Sequence, residues 1–434
     1  MLSIGPTVLR SLLLLLPWTL CSCGNASEPA SQPALPDAGA EDAASSDARD
    51  APEPDVAPVD APSDIASPFD ASPVDAFPDV EDAPPMLLAL GAQKSCRRDG
   101  LGAIACWGRN QHGELGLGVT GEGTEKTRPE PVGIDTDWQT ISAGGFHVCA
   151  TKTGGALFCW GLNGTGQVGD GSGIDRTAPT QVGTDTGWGP VAAGGYHTCG
   201  IRNDGNLWCW GWNSFGEVGH GTQGEGTDAL EPVHVAVGQT FRLVAAGDYH
   251  ACAVASDGSL WCWGANGAGQ VGNGGGSDVL TPTRIGAFTD WEVVTAGQYH
   301  TCGLRQGGAL WCWGANDKGQ CGVKDPGNIS APRAVETPGF AAVAAGQQHT
   351  CGIDKGGSLW CFGFNESGQL GIGGNADVAV PTQVEPGTQW RSVAAGDWHT
   401  CGEKTDGTLH CWGWNHFGQL GNGTTEGATT PTPL

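Results

Sequence analysis

The sequence predicts an all-β protein, a closed β-propeller of seven blades. Three observations carry this. Cysteines recur as seven pairs, each separated by ten residues: Cys96 with Cys106, Cys149 with Cys159, Cys199 with Cys209, Cys252 with Cys262, Cys302 with Cys312, Cys351 with Cys361 and Cys401 with Cys411. Their first members repeat every 49 to 53 residues, a period that marks a repeat array. Between them lie short apolar runs punctuated by glycine turns, as in propeller blades.

The unit from Val191 to Gly219 shows the geometry. Asn203-Asp204-Gly205 suits a three-residue hairpin loop closed by a left-handed glycine. That loop pairs Arg202 with Asn206 and Ile201 with Leu207. Cys199 then falls opposite Cys209, within disulfide reach. The same register fits Cys252 and Cys262 around Ser256-Asp257-Gly258. Each bridge closes a small ring, for which the chain-entropy model gives about 3 kcal/mol. Trp208 and Trp210 flank Cys209 and so point to the other sheet face. Stacked blades would set the aromatics of one against the sulfurs of the next. A motif follows every hairpin, from Asn110-Gln-His-Gly-Glu-Leu-Gly116 to Asn415–Gly421, and its fixed Asn and Gly mark structural turns. No role is assigned to Cys321.

These residues resemble the regulator of chromosome condensation repeat family: Ala-Ala-Gly-x-x-His, the Asp-Gly hairpin, Trp-Gly-x-Asn and Gly-Gln-Leu-Gly. The resemblance covers residues 86–434. It implies four-stranded antiparallel blades. The cysteine pairs depart from the nuclear member and point to an exported bacterial branch. The chain enters at Met86–Gly91 and leaves at Thr430–Leu434. The expectation is that the C-terminal strand completes the first blade and closes the ring.

Residues 1–22 read as a signal peptide, with Arg10, an apolar run from Leu12 to Leu16, and Leu20-Cys21-Ser22-Cys23. The last four resemble a bacterial lipobox, which implies cleavage before Cys23 and lipidation of its thiol. Gly24 follows, and the resemblance implies outer-membrane sorting. Residues 24–85 alternate Ala, Pro and Asp, with fifteen acidic residues and one arginine. Such a stretch builds no core and acts as an extended spacer. Fourteen paired cysteines agree with an oxidising compartment. The expected location is therefore the cell envelope, with the lipid as the only membrane attachment.

Formal net charge is −26, which argues against nucleic acid as a partner. No phosphate-binding loop, nucleophile elbow or His-Glu zinc motif is present. The reading is non-catalytic, with no metal or cofactor. Six blades carry His at one offset (His147, His197, His250, His300, His349, His399), where the first has Lys94. One imidazole per blade is too widely spaced to hold a metal, so these are read as groups that hydrogen-bond backbone between blades. Acidic glycine loops such as Asp170–Asp175 and Asn273–Asp278 lack the order of a calcium loop.

Individuality is sought in the loops. Most blades span ten residues from the Gly that ends the motif to the next Pro. Gly116 to Pro131 takes fifteen and Gly219 to Pro232 thirteen. Both insertions contain Gly-Glu-Gly-Thr and should share a face with one blade between. The candidate partner-binding residues are Glu122, Thr124, Glu125, Lys126 and Arg128 in the first, and Gln223, Glu225 and Asp228 in the second. Trp212, Phe215, Trp398, Trp414 and Phe417 form a candidate aromatic surface. The expected partner is an envelope or secreted protein bound by a monomer. A glycan is the alternative. The family resemblance also implies guanine-nucleotide exchange, an activity set in another compartment.

Overall fold

The computed structural model describes residues 88–235 and 238–434. The signal, Cys23 and the spacer lie outside them. Twenty-eight strands form seven four-stranded antiparallel sheets. Each sheet is one contiguous stretch, the first spanning 88–131 and the last 390–433.

The hairpin register is the expected one. Ile201 pairs with Leu207 and Cys199 with Cys209, and Gly205 takes φ +80°. Cys149 likewise opposes Cys159, Cys252 opposes Cys262 and Cys351 opposes Cys361. All seven disulfides form, each with Cα atoms 4.1 Å apart.

The bridges pack beneath the aromatics of the following blade. Cys96 and Cys106 share a cluster with Trp138 and Trp160, and Cys149 and Cys159 with Trp188 and Trp210. Cys252 and Cys262 lie with Trp291 and Trp313, Cys302 and Cys312 with Phe340 and Phe362. Cys351 and Cys361 lie with Trp390 and Trp412, and Cys401 and Cys411 with Trp107 of the first blade. Large apolar surfaces are thus buried between sheets, which dominates the stability of a stacked array. Cys321 takes the Leu position of its motif and is fully buried, and burial pushes its thiol up.

Polar stitches repeat at each interface. Motif carbonyls accept the indole N–H of the next blade: Glu114 from Trp160 at 3.0 Å, Gln167 from Trp210 at 3.0 Å and Gln270 from Trp313 at 2.9 Å. Within the motif, the Asn side chain accepts the N–H five residues on, as Asn110 does from Leu115 at 3.0 Å. The motif is therefore structural, as its Asn and Gly suggested.

One expectation is corrected. The C-terminal strand, Ala428–Pro433, is the outer strand of the seventh blade, not the fourth strand of the first. The first blade supplies its own outer strand at Lys126–Pro131. Closure comes from face packing like that at every other interface. Ser95 Oγ lies 2.8 Å from His399 Nε2, and Trp107 donates to Gln419 O at 2.8 Å. Gly423 N–H donates to Thr127 O at 2.8 Å. Terminal position in the sequence carries no information on this, because the two modes of closure place the same residues side by side.

Candidate partner-binding face

The innermost strands line a central channel of about 450 Å³, mostly with Ala, Val and Leu side chains and glycine backbone. The six histidines do not face it. They sit on the second strands, fully buried. His147 Nε2 meets Thr198 Oγ1 at 2.7 Å, and other interfaces repeat this with His250–Thr301, His300–Thr350 and His349–Thr400. Each hydroxyl donates onward to a motif carbonyl, as Thr198 does to Gln167 O, so it accepts from the imidazole Nε2–H. The histidines therefore bond a side chain of the next blade rather than its backbone. His197 has no such partner, because Ala251 stands where the other five histidines each meet a Thr or Ser. Lys94 fills the first blade's position and donates to Gly144 O at 2.8 Å and Gly145 O at 3.0 Å. Burial holds its amine down to about 8, with Glu114 and Asp397 opposing.

The connections after the first and third strands emerge at the same end of each blade. Trp212 N–H donates to Tyr196 O at 3.0 Å, and Trp414 N–H to Trp398 O at 2.8 Å. Both insertions therefore open on one face, with the second blade between them. Their geometry is the same. Asn110 Nδ2 donates to Val119 O and Thr124 Oγ1, as Asn213 Nδ2 does to Thr222 O and Thr227 Oγ1.

The strand register also corrects their lengths. Lys126 pairs with Gly108 as Ala229 does with Gly211, so Pro129, not Pro131, is the counterpart of Pro232. Both loops are thirteen residues by this measure. Glu122, Glu125, Gln223 and Glu225 lie on them, and Thr124 is tied to Asn110 and Gly121 O. Lys126 and Arg128 belong to the outer strand rather than to the loop. Asp228 is used locally, since its Oδ1 accepts Asn213 N–H at 2.9 Å. The acidic loop of the second blade is likewise occupied internally: Asp170 accepts from Asn163, Ser172 and Arg176, and Asp175 from Asn163 and His112.

The aromatic surface is more continuous than the sequence indicated. Phe146 and Tyr196 lie 5.3 Å apart by ring centroid; Tyr196 meets Trp212 at 5.7 Å, and Trp212 meets Phe215 and Tyr249 at 5.5 and 5.7 Å. Tyr249 stacks on Tyr299 at 5.3 Å. On the seventh blade, Trp398, Trp414 and Phe417 form a second run with Phe364 and His416. Arg109 bridges the two, its guanidinium 5.6 Å from the Phe146 ring and 5.7 Å from that of Phe417. All five candidate aromatics thus lie on one belt.

The belt encircles a polar channel mouth that the sequence reading missed. Asp248, Gln298, Gln347 and Asp397 line it from four successive blades, against Gly145 in the second. Burial raises Asp248 to about 6 and Asp397 well above the usual carboxylate range, the latter helped by Asp248 and opposed by Lys94. The signal was available: these residues follow the glycine that ends each innermost strand, where the first three blades carry only Ala or Gly. The hydroxyls of the channel lining are already engaged. Ser142 Oγ accepts Ala193 N–H at 3.0 Å and Thr295 Oγ1 accepts Ala345 N–H at 3.1 Å, each from the next blade.

The architecture defines a seven-bladed propeller of stapled, tandemly repeated sheets with one aromatic face. The regulator of chromosome condensation (RCC1) repeat matches residues 102–151, 154–201, 257–304, 307–353, 356–402 and 406–434. The chain belongs to this repeat family. The crystal structure of Prp20p from Saccharomyces cerevisiae superposes with a TM-score of 0.69 at 22% identity, over 80% of this chain and 87% of that one. Human WBSCR16 gives 0.63 at 20% identity, over 71% and 84%. Such identities establish the fold alone. Among curated relatives, the probable E3 ubiquitin-protein ligase HERC4 of Rattus norvegicus is 33% identical over 84 residues. That stretch is 19% of this chain and 8% of the ligase. Human RCC1 domain-containing protein 1 is 34% identical over 86 residues, 19% of this chain and 21% of the relative.

Proposed function

We propose that this chain is a cell-envelope lipoprotein whose propeller binds another protein without catalysis, through the face that carries the aromatic belt. The observation behind this is the belt itself. Phe215, Tyr299 and Trp398 are each over a third exposed, and two matching loops flank the belt. Rigid aromatics on a rigid scaffold make strong anchors at low entropic cost. The crystal study of yeast Prp20p concerns its binding to Gsp1p and histones, which supports protein binding as a use for a propeller of this shape.

Two experiments test the reading. Full-length oxidised protein, and a variant with both thirteen-residue loops cut to the ten-residue form, serve as baits on native envelope and secreted fractions. A protein held by the first and lost by the second, at equal melting temperature, is the expected result. Equal retention by both removes the loops from the site. The belt equally suits a glycan, and release of the retained material by soluble wall sugars would replace the protein-binding reading with that one.

For the location, Cys23→Ser should move the protein from the membrane fraction to the soluble one. A variant that still pellets with membranes overturns the lipid anchor.

A further inference from the structure

The motif Asn-x-x-Gly places its third residue against the next blade. In the first, third and fifth blades that residue is His112, Phe215 and Lys318. Opposite each, the following blade offers an aspartate: Asp175, Asp278 and Asp377. Their roles begin alike. Oδ1 accepts the N–H of Asn163, Asn266 and Asn365 at 2.8, 3.0 and 2.8 Å.

The second carboxylate oxygen separates them. Asp175 Oδ2 meets His112 Nδ1 at 3.0 Å. Asp377 Oδ2 faces Lys318 Nζ at 3.5 Å, and the same ammonium lies 5.1 Å from the centre of the Phe364 ring. At the third-to-fourth notch the residue is Phe215, which brings no charge. Among the described residues, no cation pairs with Asp278. The notch instead opens as a cavity of about 380 Å³ lined by Phe215, Tyr249, Tyr299, Gln270 and Asp278. Its walls are ordered as a partial cage. Tyr249 and Tyr299 stack at 5.3 Å, and Phe215 stands edge-on to Tyr249 at 6.1 Å.

Two other interfaces thus show what this slot accepts when the chain fills it: a nitrogen donor held by a carboxylate, which in one case is an ammonium that also lies over an aromatic face. Elsewhere on the belt, Arg109 between Phe146 and Phe417 shows that a guanidinium is accommodated there too. We infer that the notch between the third and fourth blades binds a lysine or arginine side chain presented by a protein partner, which takes the place of the missing internal cation. The cationic head lies against Asp278 and the rings of Tyr249 and Phe215, while its methylene stem packs on Tyr299. Cation–π contact and ion pairing act together in such a site. Glu225, exposed on the thirteen-residue loop of the third blade, adds attraction of the same sign.

This inference rests on the protein-binding reading for the identity of the partner, but its chemistry is testable alone. The probe is n-butylguanidinium, titrated calorimetrically into the full oxidised chain, with n-butanol as the uncharged control. Millimolar binding of the cation and none of the alcohol is expected. Phe215→Lys repeats the arrangement native to Lys318, so it should fold and fill the slot from within. Probe affinity should then fall at least about tenfold. Asp278→Asn keeps an oxygen for Asn266 N–H and should weaken binding by about tenfold, the equivalent of about 1.4 kcal/mol. Equal binding of the alcohol, no binding of the cation, or unchanged affinity in Phe215→Lys each overturns the proposal. A partner captured equally by wild type and Phe215→Lys would sink the notch and leave the protein-binding reading intact.

Discussion

Gly396→Ala is expected to lower the melting temperature by roughly 5 °C or more and to loosen the contact between the last blade and the first. Each blade ends its innermost strand in a glycine, and these seven glycines form a ring around the channel mouth. A β-carbon on Gly396 would lie 2.5 Å from Gly91 O, 2.5 Å from His399 Cε1 and 2.8 Å from its Nδ1. The first obstacle is backbone of the adjacent blade. The other two belong to a buried imidazole that Ser95 holds at 2.8 Å. Neither yields cheaply, so the cost falls at the upper end of the roughly 1–3 kcal/mol typical of overpacking. The site matters because no strand is shared across the seam. Closure rests on packing and on contacts such as Trp107 to Gln419 O. Red-shifted emission from the otherwise buried Trp107 would locate the opening at this seam. Gly374→Ala is the control, since no atom lies within 4 Å of its added carbon. It should change stability by less than about 0.5 kcal/mol. Equal melting temperatures for Gly396→Ala and wild type would show that the ring tolerates separation at the seam.

The blade was legible in the sequence because its information is local. An Asp-Gly turn fixes the hairpin register, register fixes which cysteines oppose, and alternation fixes which face takes the tryptophans. Relations between blades were legible only where the repeat copies them, as with sulfurs beneath the next blade's indoles. The seam was not: Ala428–Pro433 reads equally well as the outer strand of either neighbour, and packing decides. Loop length misled for a related reason. Pro129 and Pro131 are both candidates for one position, and only the pairing of Lys126 with Gly108 chooses between them. The belt was half visible. Its aromatics occupy variable positions of a constant motif, but their contiguity depends on Arg109 and Phe146, which are unremarkable in isolation. The notch at Phe215 emerges only when the third residue of each motif is set against the aspartate of the next blade, a comparison across roughly sixty residues of chain.

Acid should unfold this propeller well before its surface ion pairs are lost. Six fully buried imidazoles are held low by burial: His197 and His300 to about 4, His250, His349 and His399 to about 3, and His147 well below its usual value. Like charge on Lys94 adds to this at His147 and His399. In the unfolded chain the same groups take protons near about 6.5. As pH falls from about 6.5 towards 4, the unfolded state therefore binds protons that the folded state refuses, and stability present above that window is lost. Four carboxyl groups oppose the trend. Glu217 is raised to about 8 and Asp248 to about 6 by burial, and Asp397 and Asp228 are raised as well. These groups favour the folded, protonated form, so their contribution grows as pH drops. With His410, also held low by burial, seven refusing groups outnumber four accepting ones. The net result is a melting temperature that declines steadily between about pH 6.5 and 4 in the oxidised protein. His197 separates burial from bonding, because it is the one imidazole of the six with neither nitrogen partnered. His197→Leu removes one refused proton and one pair of unsatisfied nitrogens without breaking a hydrogen bond. It should flatten the acid limb and leave the neutral melting temperature equal or higher. A curve that is flat for the parent chain from about pH 6.5 to 4 would mean that the imidazoles titrate in the folded ring, through openings between blades that the packed interfaces do not contain.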